Sequence, residues 1–137
     1  MQKNTKNIIL TYGTFDLFHI GHLNLLRRAK EIGDELIVGV STDNFNLKKN
    51  KQSAIPFNDR IEIIRQIKYV NHAFPEDSWE QKIIDIERYN ISTLVIGSDW
   101  KGKFDYLKNH CNVIYLDRTP KISSSILKKQ MNNFIYT

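Results

Sequence analysis

NIILTYGTFDLFHIGHLNLLRRAKEIGDELIVGV, residues 7–40, holds two short apolar runs with a stretch of helical period between them. Asn7 to Tyr12 reads as a strand, since consecutive aliphatic residues and a β-branched threonine suit a pleated, buried surface. A polar loop follows, and the spacing predicts a helix from about His19 to Ile32, stopped by Gly33. Leu23, Leu26, Ala29 and Ile32 form its apolar stripe. Glu35 to Val40 is then a nearly unbroken apolar run, the pattern of a central strand covered on both faces. Strand, helix and buried strand in that order make a crossover unit, and such units build parallel sheets with right-handed connections.

The rest of the chain repeats the alternation. Thr42 to Ile55 reads as a polar loop, Asn58 to Tyr69 as a helix with Ile61, Ile64 and Ile67 at helical spacing, and His72 to Phe74 as a short strand. Ser78 and Gln81 stand in capping-box relation before a helix to Tyr89, with Ile83, Ile84 and Ile86 turned inward. Ser92 to Ile96 and Asn112 to Leu116 read as two further strands, and a last helix runs from about Ser123 to Met131. The expected fold is α/β: a Rossmann-like doubly wound parallel sheet of about five strands, forming one domain over residues 1–137.

Composition narrows the function. The 137 residues are 41% apolar, enough for a single core without disulfides, and Cys111 is the only cysteine. A disulfide framework and a cysteine-rich zinc site are excluded, and a reducing compartment fits. No run approaches the ~18 apolar residues of a membrane span, and the N-terminal apolar stretch is too short for a signal peptide. A cytoplasmic protein with no membrane partner is expected. Twenty Lys and Arg against fifteen Asp and Glu give a net charge of +5, a field that favours anionic partners.

In doubly wound folds ligands bind beyond the carboxyl ends of the strands. The polar residues that follow the strands suit phosphate: Gly13 to His22 after the first, Ser41 to Asp43 and Lys48-Lys49-Asn50-Lys51 after the second, Gly97 to Trp100 after the fourth, and Arg118-Thr119 with Ser123-Ser124-Ser125 after the fifth. His19 and His22, three apart on a first helical turn, face the same side. Together with the unpaired backbone N–H groups of that helix end and the bare Gly21, they make a cradle for a polyphosphate. A zinc site would need a third ligand that the sequence does not nominate. Gly97 to Phe104 matches G-x-x-x-x-G-K, but Phe104 stands where a P-loop needs a hydroxyl for magnesium. No G-x-G-x-x-G follows the first strand, against a dinucleotide-binding oxidoreductase.

Gly13-Thr-Phe-Asp-Leu-Phe-His-Ile-Gly-His22 resembles the G-T-F-D-x-x-H-x-G-H signature of the cytidylyltransferase branch of the nucleotidyltransferase α/β-phosphodiesterase superfamily, and Arg118-Thr-Pro-Lys-Ile-Ser-Ser-Ser125 resembles its R-T-x-G-I-S-T-T element. The likeness spans nearly the whole chain, through Ser41-Thr-Asp43, Phe45-Asn-Leu47, Trp79-Glu-Gln-Lys82 and Asp99 to Asp105. It implies a reaction of CTP with sn-glycerol 3-phosphate, with Mg²⁺ as cofactor, giving CDP-glycerol and pyrophosphate for teichoic acid or capsular polymer synthesis. It further implies that Thr14, Phe15, Asp16, His19, Gly21, His22, Lys51, Asp99, Arg118, Thr119, Ile122, Ser123, Ser124 and Ser125 surround the nucleotide. His19, His22, Lys49 and Arg118 would stabilise the transferring group, and Lys49, Lys82 and Arg60 would serve the acceptor phosphate. No protein metal ligand is implied, and a homodimer is expected.

Lys121 stands where the family usually has Gly, Ser124 and Ser125 replace Thr, and Lys68 and Asn71 stand where nearer relatives show Arg and Asp. These departures bear on the acceptor, for which phosphoethanolamine, phosphocholine and polyol phosphates are alternatives. A reading of a different class, a basic module holding nucleic acid without chemistry, needs a basic and aromatic surface stripe. The cations here gather instead at strand ends beside the histidine pair, so nucleic acid is not the expected partner.

Overall fold

The computed structural model describes residues 6–118 and 123–136, with side chains in the last helix as far as residue 132. Its five strands are β1 (Ile8–Gly13), β2 (Glu35–Ser41), β3 (His72–Glu76), β4 (Thr93–Gly97) and β5 (Asn112–Leu116). They form one all-parallel sheet in the order β3-β2-β1-β4-β5. Five helices accompany them: α1 (Ile20–Ile32), α2 (Asp43–Lys48), α3 (Phe57–Gln66), α4 (Gln81–Arg88) and α5 (Ser124–Tyr136). The expected doubly wound sheet is therefore present, and its order reverses between β1 and β4, which places the topological switch point at the carboxyl end of β1.

The period of two along β1 sorts the core into layers. Ile8, Leu10 and Tyr12 face one side with Leu94, Ile96, Ile86 and Leu107, while Ile9 faces the other with Leu26, Ala29, Ile61, Ile64 and Val95. Helices α1 and α3 thus cover one face and α4 the other. Pairing of β1 and β2 runs in register from Ile8 with Glu35 to Gly13 with Val40, so both strands finish at the same rim.

Several local expectations are corrected. The segment expected as a loop after β2 begins with α2, whose N-cap Thr42 accepts a hydrogen bond from the Phe45 amide. Helix α3 ends at Gln66, because Ile67 already has an extended ψ of 125°. The expected capping box before α4 is half formed: Gln81 Oε1 accepts from the Asp77 and Ser78 amides, but the N-cap is Glu80 and its side chain makes no cap hydrogen bond. Ile32 and Ile84, expected inward, are 37% and 57% exposed. At ~100° per residue Ile83 and Ile86 share a face that turns Ile84 away. Helix α5 extends past Met131 to Tyr136, capped by Ser123, whose Oγ accepts from the Ile126 amide.

Candidate active site

At the switch point lies a cavity of about 460 Å³, within the range for pockets that enclose small ligands. The loop between β1 and α1 forms its floor. Phe15 and Leu17 both adopt left-handed backbone, at φ 54° and 49°, which is costly for bulky residues and persists only where the surroundings impose it. Asp16, between them and 3% exposed, supplies that constraint. Its Oδ1 accepts from the Leu17 and Ile55 amides, and its Oδ2 from the Ala54 amide and the Lys128 ammonium. Burial alone would raise its pKa; the hydrogen bonds from Lys128, Ala54 and Ile55 outweigh that and hold the carboxyl below its usual range.

The histidine pair caps α1 reciprocally. His19 Nδ1 accepts from the Gly21 amide at 3.0 Å, and His22 Nδ1 accepts from the His19 amide at 3.2 Å. With both Nδ1 atoms acting as acceptors, each neutral ring carries its proton on Nε2. The rings stack with centroids 3.8 Å apart. Burial, then the neighbouring His19, pushes His22 down to about 3, and burial also lowers His19. Two neutral N–H donors result. His19 Nε2 is buried without a hydrogen-bond partner among the described residues, although it borders a cavity. An orphan donor in that position calls for a ligand acceptor, and phosphate oxygens are the obvious chemistry.

Other elements close round this pair. Arg118, just beyond β5, lines the same cavity as His19 and is paired with Asp99 beyond β4. The start of α5 arrives opposite, where Ser124 Oγ donates to the Asp16 carbonyl at 2.5 Å. Thr14, Phe15, Gly21, Lys51, Ser123 and Ser125 complete the expected set at the cavity, while Thr119, Ile122 and Lys121 lie outside the described residues. Arg28 and Lys128 also line the cavity and were missed by sequence reasoning. Lys128 carried a readable signal, since it stands four residues after Ser124 and so on the same helix face.

Three expected residues are not at the cavity surface. Arg60, placed on the substrate by resemblance, is 1% exposed and spends its guanidinium on the Ile55, Thr14 and Ser41 carbonyls and the Asp43 carboxylate. It ties the β1 loop to the end of β2 and the start of α2, which is positioning rather than substrate contact. Lys82, equally buried, pairs with Glu76 at 2.5 Å. Lys49 lies between these and the rim: Nζ donates to Ser41 Oγ at 3.1 Å and sits 4.3 Å from the Phe45 ring centroid. Burial pushes its pKa down to about 8 against the opposing pull of Glu76. The G-x-x-x-x-G-K look-alike forms a 3-10 turn at Ser98–Trp100, and Trp100 packs on Trp79 and Phe104.

Among the described residues no three His, Cys, Asp or Glu side chains cluster to hold a metal ion. The nearby carboxylates of Asp16 and Asp99 are engaged by Lys128 and Arg118.

A parallel sheet whose switch point holds a cavity lined by a histidine pair, arginines and lysines has the arrangement of a nucleotidyltransferase. The chain belongs to the cytidylyltransferase-like family, whose model matches residues 10–130. A glycerol-3-phosphate cytidylyltransferase of Bacillus spizizenii is 58% identical over 123 residues, covering 90% of this chain and 95% of its own length. One from Staphylococcus aureus is 47% identical over 123 residues, covering 90% and 93%. The fold is shared with a lipopolysaccharide core biosynthesis protein of Thermoplasma volcanium, at TM-score 0.73 and 22% identity over 83% of this chain and 98% of that one.

Proposed function

We propose that the protein transfers the cytidylyl group of CTP to sn-glycerol 3-phosphate, releasing pyrophosphate and forming CDP-glycerol. The names of the relatives at 47–58% identity support the substrates, and the observation that carries the chemistry is His19, which lines a cavity with Arg118 and whose buried Nε2 has no hydrogen-bond partner among the described residues. The acceptor phosphate has a second pKa of about 6, so it is largely dianionic at neutral pH and needs no general base. One of its oxygens attacks the α-phosphorus of CTP, a P–O bond forms, and the bond to the β-phosphate bridging oxygen breaks with its electron pair leaving on pyrophosphate.

The protein's part is alignment and charge control. His19 and His22 donate Nε2–H groups to the triphosphate, and contact with that anion raises their affinity for protons just as negative charge builds on the leaving group. Arg118 and Lys128, which line the same cavity, neutralise it, and Lys49 adds positive charge on the acceptor side from behind Ser41. Magnesium, carried on the triphosphate, supplies further charge neutralisation. Among the described residues no helix is long and apolar enough to cross a membrane. Supply of CDP-glycerol to a teichoic acid or capsular polymer, and a homodimer protecting sheet edges, complete the proposal.

The test is pyrophosphate release from purified protein with Mg²⁺, each of four nucleoside triphosphates, and a panel of phosphorylated alcohols. Release confined to CTP with glycerol 3-phosphate supports the reading. Preference for another phosphorylated alcohol reassigns the acceptor, and salt-sensitive oligonucleotide binding without any release replaces the enzyme by a binding module.

A further inference from the structure

Lys82, the second residue of α4, points its ammonium into an aromatic box. Its Nζ lies 4.3 Å from the ring centroid of Tyr12, 4.9 Å from that of Trp79 and 5.3 Å from that of Phe104. Glu76 closes the remaining side with a hydrogen bond of 2.5 Å. Aromatic faces plus one carboxylate around a single point are the chemistry that recognises an alkylammonium ion. Here the chain's own ammonium fills that point. The box is rigid, because the Tyr12 hydroxyl donates to Asp85 at 2.7 Å and Gln81 Nε2 donates to the same carboxylate oxygen at 3.0 Å.

The box also adjoins the reaction cavity. Tyr12 and Trp100 line that cavity, and Trp100 packs on Trp79 and Phe104. Glu76 Oε1 accepts from Ser41 Oγ, which in turn accepts from Lys49, so the box and the acceptor-side lysine share one hydrogen-bonded wall.

We propose that Lys82 is a specificity-determining residue: its ammonium occupies an alkylammonium-type box beside the transfer cavity and so excludes acceptors with a cationic head, leaving neutral polyol phosphates as substrates. An ammonium or trimethylammonium head approaching this wall finds the aromatic faces and the Glu76 carboxylate already taken, whereas hydroxyl groups have no need of them. The inference rests on the acceptor being a phosphorylated alcohol.

The experiment compares wild type, Lys82→Ala, and the charge-neutral double variant Lys82→Ala with Glu76→Gln, both of which empty the box. The second variant guards against misfolding, since replacing both members of a buried ion pair by neutral groups is tolerated better than removing one. Two measurements are made: melting temperature in methylammonium chloride against sodium chloride of equal ionic strength, and kcat/KM for glycerol 3-phosphate and for phosphoethanolamine. Lys82→Ala should gain a saturable, methylammonium-specific rise in melting temperature that wild type lacks and that is smaller in the double variant, whose box keeps its aromatic faces but has lost its carboxylate. In both variants the preference for glycerol 3-phosphate over phosphoethanolamine should fall by about tenfold or more. A merely structural ion pair would lower both kcat/KM values together, so an unchanged ratio in the folded double variant overturns the proposal. No turnover by wild type with any acceptor would instead refute the transferase reading, while the melting comparison would still show whether the box takes an ammonium.

Discussion

Replacement of Arg60 by Met keeps the stem that packs inside α3 and removes the guanidinium. Three carbonyls then lose their donor, at distances of 2.7–2.8 Å in the native protein, and Asp43 loses its partner. The Ser41 bond is buried and its loss costs about 1–3 kcal/mol, while the partly buried Thr14 and Ile55 carbonyls recover some water and cost about 0.5–1.5 kcal/mol each. Asp43 is half exposed, so its pair contributes at most about 1 kcal/mol. The expected destabilisation is about 2–7 kcal/mol, a large share of the ~5–15 kcal/mol available to a domain, and a fall in Tm of roughly 7–25 °C. Urea unfolding measures the first and calorimetry the second; kinetics well below Tm should show a lowered kcat, because Thr14 and the strained loop lose their tether. A variant as stable as wild type to within about 0.5 kcal/mol, with a KM for glycerol 3-phosphate raised tenfold, would refute the reasoning and return Arg60 to the substrate.

His22→Ala should reduce kcat by about 100–1,000-fold, the usual cost of losing one preorganised donor to a developing charge, with little change in the urea midpoint slope; steady-state kinetics decide. Lys49, at about 8, carries its charge below that pH and loses it above, so kcat/KM for the acceptor should decline as pH rises through 8, and Lys49→Arg should remove the decline. His22 is held at about 3 in the folded protein and returns to about 6.5 on unfolding, so the unfolded chain binds the extra proton between those values. Stability present above pH 6.5 is therefore lost as pH falls toward 3, and pH-dependent urea unfolding should show this slope flattened in His22→Gln. Lys128→Met frees the Asp16 carboxylate of its partly exposed cation and should raise the KM for CTP about fivefold, equivalent to ~1 kcal/mol, with KM for the acceptor unmoved.

The sheet was legible because its central strands are apolar on both faces: Leu36 to Val40 is buried throughout and could only be a covered strand. Helix α2 was not, since its six residues offer less than two turns of periodicity, and only Thr42 before Asp43 hinted at a cap. The histidine pair was readable from spacing alone, because three residues on one helical turn fix a shared side. The buried cations were not. Arg60 finds its partners at Thr14 and Ser41, and Lys82 finds Glu76 together with Tyr12 and Phe104, all brought in by sheet pairing that a local pattern does not encode. A lysine in a site-like motif looks the same whether it faces phosphate or fills an aromatic box. Asp16 was expected beside the nucleotide, but Lys128, more than a hundred residues away, emerged as its partner only in three dimensions.

In the proposed reaction the acceptor's own phosphate attacks CTP, with no covalent nucleotidyl-protein species between. Exchange of labelled pyrophosphate into CTP, followed with and without glycerol 3-phosphate, tests this most directly. No exchange should occur until glycerol 3-phosphate or CDP-glycerol is added; exchange with CTP, Mg²⁺ and protein alone would mean that a side chain takes the cytidylyl group first, contradicting the claim.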